Sequence, residues 1–532
     1  MIEFNSVTET LTSLSFQVRQ FAVIAVAILL LGAAAIALAS RFSFDLFSGK
    51  NVSTGPVRFR RIALTASLVT FCVVLCSTIV DLVLETRGPE ALGGLFAFLT
   101  AAAWLPVVFV GRQCDLKRPA LLYGLLLLLE AAFLGVFFAD NAVLFCLSLE
   151  SSTIILFLLI TGWGGHDSEP IARKFLVYNL TADMLVLIGL LGLVVAAGRM
   201  SAESTDHPRH ELSYSLSSLT RDVPRLASDE IGGKEYWRHA RRWMLTALIF
   251  GLAIKTPLVP FHTWFAATVS EGPLCAGLAM LGAGLRVSSY TFIRFVGPLC
   301  GELGVWGDLL VGLVVLGAVY QSLLALAHGD LRKLTAYAGL SQTSLALAGF
   351  FSQQAPGTIG AVLLTIGGGL GSTLLLFLFA LLEIRFEARD LSVLGGIWRR
   401  LPHVSCALLL AVLSIVGIPG LCGFAGLFPL LGALFAFEWL SALLALIAGL
   451  IVAWALFWML ERVVFNPIDG GDILPAVDDQ SASIVRSRPN DLRPAELWLI
   501  APLIVGILFI GLRPQAVVDL VSASLRMASL SS

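Results

Sequence analysis

The chain has 532 residues, of which 57% are hydrophobic and only 13% are charged, and its formal net charge is -1. This composition excludes a soluble catalytic domain, and the near-zero charge offers no basic surface for the phosphate backbone of a nucleic acid. The eight cysteines are scattered through apolar segments without a Cys-x-x-Cys pair. We therefore expect no metal site and no cofactor in this chain.

Apolar segments of about 20 residues, the length of a helix that crosses a bilayer, recur along the whole chain. They predict an all-α polytopic membrane protein, embedded in a lipid bilayer, with about fourteen transmembrane helices. The predicted spans are residues 20–40, 62–84, 91–110, 119–138, 141–162, 174–197, 242–262, 272–296, 305–328, 333–352, 357–382, 404–436, 438–461 and 495–512.

Basic residues predict the orientation of these spans. Lysine and arginine concentrate in short connections such as 41–61 and 112–118, whereas the short connections on the other side hold few. The positive-inside rule then favours both termini on the non-cytoplasmic side of a bacterial or mitochondrial inner membrane. Two longer polar connections, 198–241 and 469–491, are predicted to lie outside the bilayer, the first with room for a short helix.

Lys255 is the most informative residue of the sequence. It lies in the apolar stretch 245–260, beside Pro257 and Pro260. A lysine inside a bilayer costs several kcal/mol unless something compensates its charge, so one that is kept beside helix-breaking prolines is a functional candidate. We expect the helix to break here, with the freed carbonyl groups satisfied by waters and neighbouring side chains.

A second apolar span is interrupted at residues 417–426, which read Gly-Ile-Pro-Gly-Leu-Cys-Gly-Phe-Ala-Gly. The two interrupted spans are the seventh and the twelfth. This spacing predicts two inverted five-helix repeats, the fourth to eighth and the ninth to thirteenth spans, with a broken helix in each. The predicted organisation is N-terminal helices in 1–118, a first repeat in 119–296, a second repeat in 297–461, and a loop with a C-terminal helix in 462–532.

Other polar residues of the predicted spans are Glu130, Glu150 and Asp183, and His262 follows the first break. An intramembrane carboxylate is either a functional group or a structural group held by its neighbours. Both interpretations stay open for Glu130 and Asp183, while the functional one is favoured for Glu150. For His262 we favour the interpretation as a packing residue over that as a proton carrier.

A family signature begins at Lys255. It consists of Lys-Thr-Pro-Leu-Val-Pro-Phe-His-Thr-Trp at 255–264, Glu-Gly-Pro at 271–273 and Tyr-Thr-Phe-Ile-Arg at 290–294. This pattern resembles that of the antiporter-like membrane subunits of respiratory complex I, the M-type subunit in particular. Similar motifs extend the likeness over most of residues 119–520. The resemblance implies a redox-free subunit that moves protons, driven by quinone reduction elsewhere in the complex, with other membrane subunits as its partners.

The resemblance also implies residue roles. Glu150 and Lys255 would form a buried ion pair, and a lysine in the following helix, at the position of Arg286, would pass the proton onward. A carboxylate near the ammonium keeps the lysine charged, and separating the two lets desolvation drive off the proton. Arginine stays protonated in proteins, so Arg286 is a doubtful relay.

The second half departs from the family pattern. Gln342 and Gly368 stand where the family has histidines, and Leu427 stands where it has a glutamate, so we expect this half to lack titratable groups. Gln342 is then a candidate for a water-supporting rather than a proton-carrying group. Two alternatives stay open: a subunit of a cation/proton antiporter, membrane hydrogenase or inorganic-carbon uptake complex, and a scaffold subunit that has lost conduction.

Overall fold

The computed structural model describes residues 23–38, 55–83, 89–114, 118–165, 167–203, 213–220, 223, 235–300, 305–391, 394–466 and 491–530. The secondary structure of these residues is helical apart from two isolated bridges, Asn141 with Ser215 and Asp330 with Asp390. Nine helices within these ranges are long and apolar enough to cross a bilayer, and three shorter apolar helices accompany them. The all-α membrane class is thereby confirmed, and the count of fourteen spans stays a prediction.

The helices are taken in chain order. They are α1 (Val23–Leu38), α2 (Gly55–Val83), α3 (Pro89–Val110), α4 (Pro119–Phe138), α5 (Ala142–Trp163), α6 (Ser168–Glu203), α7 (Glu235–Lys255), α8 (Thr263–Glu271), α9 (residues 274–300), α10 (Val305–Ala327), α11 (Leu331–Phe351), α12 (Ala355–Phe386), α13 (Pro402–Val416), α14 (Cys422–Phe437), α15 (Trp439–Leu460), α16 (Pro494–Leu512) and α17 (Pro514–Leu530). Helix α9 contains two π-helical turns, Met280–Gly284 and Phe292–Val296.

The chain forms two compact units. The first contains residues 1–307 together with 515–532, and the second contains residues 308–514. In the first unit α6 and α7 pack closely, because Gly251 lies against the carbonyl of Ala182. A Cβ on this glycine would lie 2.8 Å from the carbonyl oxygen of Ala182 and 3.0 Å from Cβ of Leu185. A small residue at such a crossing lets two membrane helices approach backbone to backbone.

The first predicted helix break is confirmed. Helix α7 ends at Lys255 itself, and the chain resumes a helical path only at Thr263, the first residue of α8. Pro257 and Pro260 lie in the turn between the two helices, where they remove backbone donors that a continuous helix would need. Because the helix stops here, Lys255 is the last residue of α7, and it is buried within the first unit.

The second predicted break is confirmed as well, in the second unit. Helix α13 ends at Val416 and α14 begins at Cys422. Gly417 and Gly420 have φ values of 86° and 90°, in the left-handed region that residues with a Cβ rarely adopt. The glycines of the motif thus allow the chain to turn sharply between the two half-helices.

Aspartates outside the apolar segments cap two helices of the second unit. Asp330 accepts hydrogen bonds from the backbone amides of Arg332 and Lys333 and so caps α11. Asp491, three residues before the start of α16, accepts from the backbone amides of His403 and Val404 and so caps α13. A side-chain oxygen at a helix start satisfies amides that have no partner within the helix.

Two features differ from the expected spans. Helix α6 continues to Glu203 and α7 already begins at Glu235, so helices occupy both ends of the predicted connection 198–241. Residues 216–220 within it form the expected short helix. Helix α17 follows the last predicted span and was not predicted, because polar residues such as Asp519 interrupt its apolar pattern. Most of the connection 469–491 and part of 41–61 lie outside the described residues.

Candidate proton-carrying site

Lys255 forms a closed polar cluster with two residues of the neighbouring helices. Its Nζ atom lies 2.5 Å from Oδ1 of Asp183 and 3.0 Å from Oγ1 of Thr153. The hydroxyl of Thr153 in turn donates to Oδ2 of Asp183 at 2.6 Å. The side chains of Lys255 and Asp183 are 9% and 0% exposed. Both carboxylate oxygens are therefore occupied, and the opposite charges neutralise each other inside the unit.

Three helices position this cluster. Thr153 comes from α5, Asp183 from α6 and Lys255 from the last residue of α7. The close crossing at Gly251 lies one helical turn before Lys255 and next to Asp183 along α6. This crossing brings the carboxylate within reach of the ammonium group.

The carbonyl groups at the end of α7 are satisfied by side chains. The indole Nε1 of Trp264 donates to the carbonyl of Ile254 at 3.2 Å. The hydroxyl of Ser288, on α9, donates to the carbonyl of Lys255 at 3.3 Å. The expected role of neighbouring side chains at the break is thus confirmed, since backbone groups away from water require a partner.

A cavity of about 30 Å³ adjoins Lys255. Its polar lining is contributed by Thr153, Ser152, Asn179 and Ser288 as well as the lysine. The rest of the lining is apolar, and a cavity of this size has room for roughly two water molecules. The Lys255 cluster therefore borders a space that is large enough for water.

The ion pair expected between Glu150 and Lys255 requires a correction. Among the described residues Glu150 forms no salt bridge, and the carboxylate partner of Lys255 is Asp183. Glu150 is only half-buried on α5, one turn before Thr153. Asp183 reaches the lysine because the close α6–α7 crossing directs it there. The sequence did hold a signal for this, since Asp183 is a carboxylate in the middle of an apolar span.

Arg286 and His262 are both buried, and both lie near the break. Arg286 is 1% exposed, on α9, two residues before Ser288. His262 is 5% exposed and immediately precedes α8. On the adjoining Thr263, the backbone carbonyl accepts a hydrogen bond from Nζ of Lys174 at 3.3 Å. The roles expected for Arg286 and His262 stay predictions.

Neutral groups surround the second break. The side-chain amide of Gln342 donates to the carbonyl of Ile415, in the last turn of α13, at 2.6 Å. A Cβ on Gly368 would lie only 2.4 Å from Oε1 of Gln342, so the amide fills the space that the glycine leaves. Leu427 lies over the break, with Cδ2 3.3 Å from where a Cβ on Gly417 would be. The three departures from the family pattern therefore come together at this break.

Glu130 has a hydrogen-bond partner that does not belong to the Lys255 cluster. Its Oε2 atom accepts from the hydroxyl of Ser67, on α2, at 2.6 Å. This partner could not be predicted from the sequence, because Ser67 is one of many small polar residues in the apolar spans.

The all-helical fold and the helix break at Lys255 agree with the resemblance of residues 255–264 to the antiporter-like membrane subunits. The family described as NADH:quinone oxidoreductase/Mrp antiporter, TM, matches residues 139–452. This match covers more than half of the chain and includes both breaks. The chain therefore belongs to this family.

Similar proteins agree with this assignment. NADH-quinone oxidoreductase subunit M of Rickettsia conorii is 26% identical over 439 residues, which cover 82% of this chain and 81% of the relative. The F(420)H(2) dehydrogenase subunit M of Methanosarcina mazei is 25% identical, over 78% of this chain and 77% of its own. A chain of respiratory complex I from Thermus thermophilus has the same fold, with a TM-score of 0.76 at 23% identity, over 96% of this chain and 100% of that one.

Proposed function

We propose that this chain is the proton-translocating M-type subunit of an NADH:quinone oxidoreductase-type membrane complex. The observation that carries the proposal is the buried bond between Lys255 and Asp183 at the end of a broken helix. A charge pair inside an apolar unit has a high cost and marks an ion path more often than a structural element. Quinone reduction takes place in other subunits, and this chain carries the proton.

The cluster works as a proton switch. While Asp183 and Thr153 hold the ammonium group, the charged form of Lys255 is stabilised. When the carboxylate moves away, a buried ammonium loses its compensation, and the neutral amine becomes the more stable form. The proton then passes to the cavity lined by Ser288 and Asn179. Recovery of a proton restores the pair.

Glu150 supplies a second position for the lysine in this proposal. It lies three residues before Thr153 on α5, and residues with this spacing are neighbours on one helix face. Lys255 therefore has a resident carboxylate, Asp183, and an alternative one near the outer face of the helix. Movement between the two couples the site to charges outside this chain.

The wider architecture of the proposal follows from the two breaks. The breaks after α7 and after α13 support two inverted repeats, one around each. The complex provides other membrane subunits as partners, in the inner membrane of a bacterium or a mitochondrion. The distribution of basic residues supports both termini on the non-cytoplasmic side of this membrane.

The test measures the number of protons moved per NADH oxidised by the assembled complex in closed vesicles. Lys255→Ala and Asp183→Asn should both lower this ratio, while Lys333→Ala, a lysine at the start of α11, is the matched control. An unchanged ratio in both site variants with normal assembly would refute proton transfer through Lys255.

A subunit that holds its charge pair but conducts poorly is the second candidate, and the neutral second break favours it. Gln342 and Leu427 offer no titratable group at this break. The same vesicle experiment decides between the two, because a non-conducting subunit would leave the ratio unchanged in Lys255→Ala. A cation/proton antiporter, the other activity in the family description, would instead exchange cations without NADH and quinone.

A further inference from the structure

A carboxyl group that the Lys255 cluster does not use lies in the middle of α4. The side chain of Glu130 is 0% exposed, and so is that of Ser67, its hydrogen-bond partner on α2. The other carboxyl oxygen of Glu130, Oε1, is buried without a hydrogen-bond partner among the described residues. This carboxyl group is thus enclosed and has one neutral partner.

The surroundings of Glu130 come from the N-terminal helices. On α1, Gly32 lies so close that its Cβ position is 3.1 Å from both Ala66, next to Ser67, and Leu127, one turn before Glu130. On α3, the ring of Trp104 packs edge-on against Phe133 with 5.8 Å between centroids. Four helices therefore contribute to the enclosure.

The charge state follows from these contacts. An ionised carboxylate taken out of water needs a cation or several donors to offset the loss of hydration. Among the described residues Glu130 has one hydroxyl and no lysine, arginine or histidine partner. The neutral acid is the form that this environment stabilises, because it requires no counter-charge.

Phe133 is the residue of α4 that relates this acid to the cavity beside Lys255. It lines that cavity, and it lies three residues after Glu130, on the same face of α4. The ring of Phe133 is buried and packs edge-on against Trp104, so, one turn from Glu130, it presents an apolar group to the cavity.

We propose that Glu130 and Ser67 form a second proton-binding site of this chain, distinct from the Lys255–Asp183 pair and closed off from its cavity by Phe133. The site binds a proton as a neutral carboxylic acid. It exchanges that proton when the ring of Phe133 moves. This inference does not depend on proton transfer through Lys255.

Infrared difference spectroscopy of the purified complex tests the bound proton. The carbonyl stretch of a protonated carboxyl group should be present in the wild type and absent in Glu130→Gln. In Ser67→Ala the same band should shift, since one hydrogen bond is lost. Ser67→Ala keeps the carboxyl group and therefore serves if Glu130→Gln does not assemble. No band that responds to either substitution would overturn the proposal.

Deuterium exchange of this band tests the barrier. We expect the band to exchange at least several times faster in Phe133→Ala than in the wild type. Phe137→Ala is the matched control, because Phe137 is also buried on α4 but does not line the cavity. Equal exchange rates in the two variants would show that Phe133 is no barrier. This result would leave the proposed function of Lys255 untouched, and a failure of Lys255→Ala to affect transport would leave the Glu130 site untouched.

Discussion

The two helix breaks of this chain both interrupt an apolar helix, but the side chains around them differ. At the first, α7 ends in Lys255, and a buried aspartate holds its charge. At the second, α13 ends before Gly417, and an amide and a leucine occupy the surroundings. A break by itself therefore frees only backbone carbonyl groups at the end of a membrane helix. The side chains beside the break decide whether it can bind a proton.

Both breaks satisfy their freed carbonyl groups in the same way. Ser288 and Trp264 donate to carbonyls at the end of α7, and Gln342 donates to a carbonyl at the end of α13. In each case a side chain from another helix replaces the backbone donor that the break removes, as the apolar environment requires. The breaks also differ in the titratable groups beside them, and this difference can be tested by substitution.

The largest expected effect comes from separating the charges at the first break. Asp183→Asn leaves Lys255 buried without its carboxylate, and removing one partner of a buried pair costs about 3–5 kcal/mol. We expect lower thermal stability of the complex and a lower proton ratio. The double variant Asp183→Asn with Lys255→Met should recover stability without recovering transport. Recovery of both would mean that the pair is structural.

The next effect concerns the helix crossing that forms the pair. In Gly251→Ala the new methyl group would meet the carbonyl of Ala182 at 2.8 Å, so α7 must shift away from α6. Such overpacking costs about 1–3 kcal/mol, and the shift should lower the proton ratio as well. Gly162→Ala, with nothing within 4 Å of the new Cβ, is the control and should change neither quantity. A Gly251→Ala complex with a normal ratio would show that the pair tolerates a wider crossing.

At the second break we expect an effect on stability alone. Gly368→Ala places a methyl group 2.4 Å from Oε1 of Gln342, so the amide must move and its bond to Ile415 is lost. The loss of a buried hydrogen bond costs about 1–3 kcal/mol. Thermal unfolding should detect the loss, while the proton ratio stays at the wild-type value. A large drop in the ratio would mean that Gln342 supports proton movement after all.

The smallest effect concerns the beginning of the second broken helix. Burial raises the pKa of Asp491, but hydrogen bonds from His403, Val404 and Leu492 outweigh it, and the net pKa is below its ordinary 3.8. The carboxylate therefore contributes stability that is fully present above about pH 3.8 and is lost as the pH falls through the lower folded value. Asp491→Asn should reduce stability at neutral pH and flatten its acid dependence in this window. Identical acid unfolding of both proteins would contradict the capping role.

The sequence predicted the breaks better than the contacts. Proline beside Lys255 and the paired glycines of 417–426 act locally, through missing donors and left-handed backbone, so their effect could be predicted. The partner of Lys255 depends on which faces of α5 and α6 meet α7. A nearly uniform apolar helix carries little periodicity to indicate this. The family pattern pointed to Glu150 as the partner of Lys255. In the structure the close helix crossing at Gly251 brings Asp183 to the lysine instead.

The comparison of the two breaks is tested most directly by the proton-to-electron ratio of Lys255→Ala beside Gln342→Ala in closed vesicles. Each variant removes the central polar side chain of one break. We predict that the ratio falls in Lys255→Ala and stays at the wild-type value in Gln342→Ala, with normal assembly of both complexes. An unchanged ratio in Lys255→Ala, or an equal fall in both variants, would contradict the account.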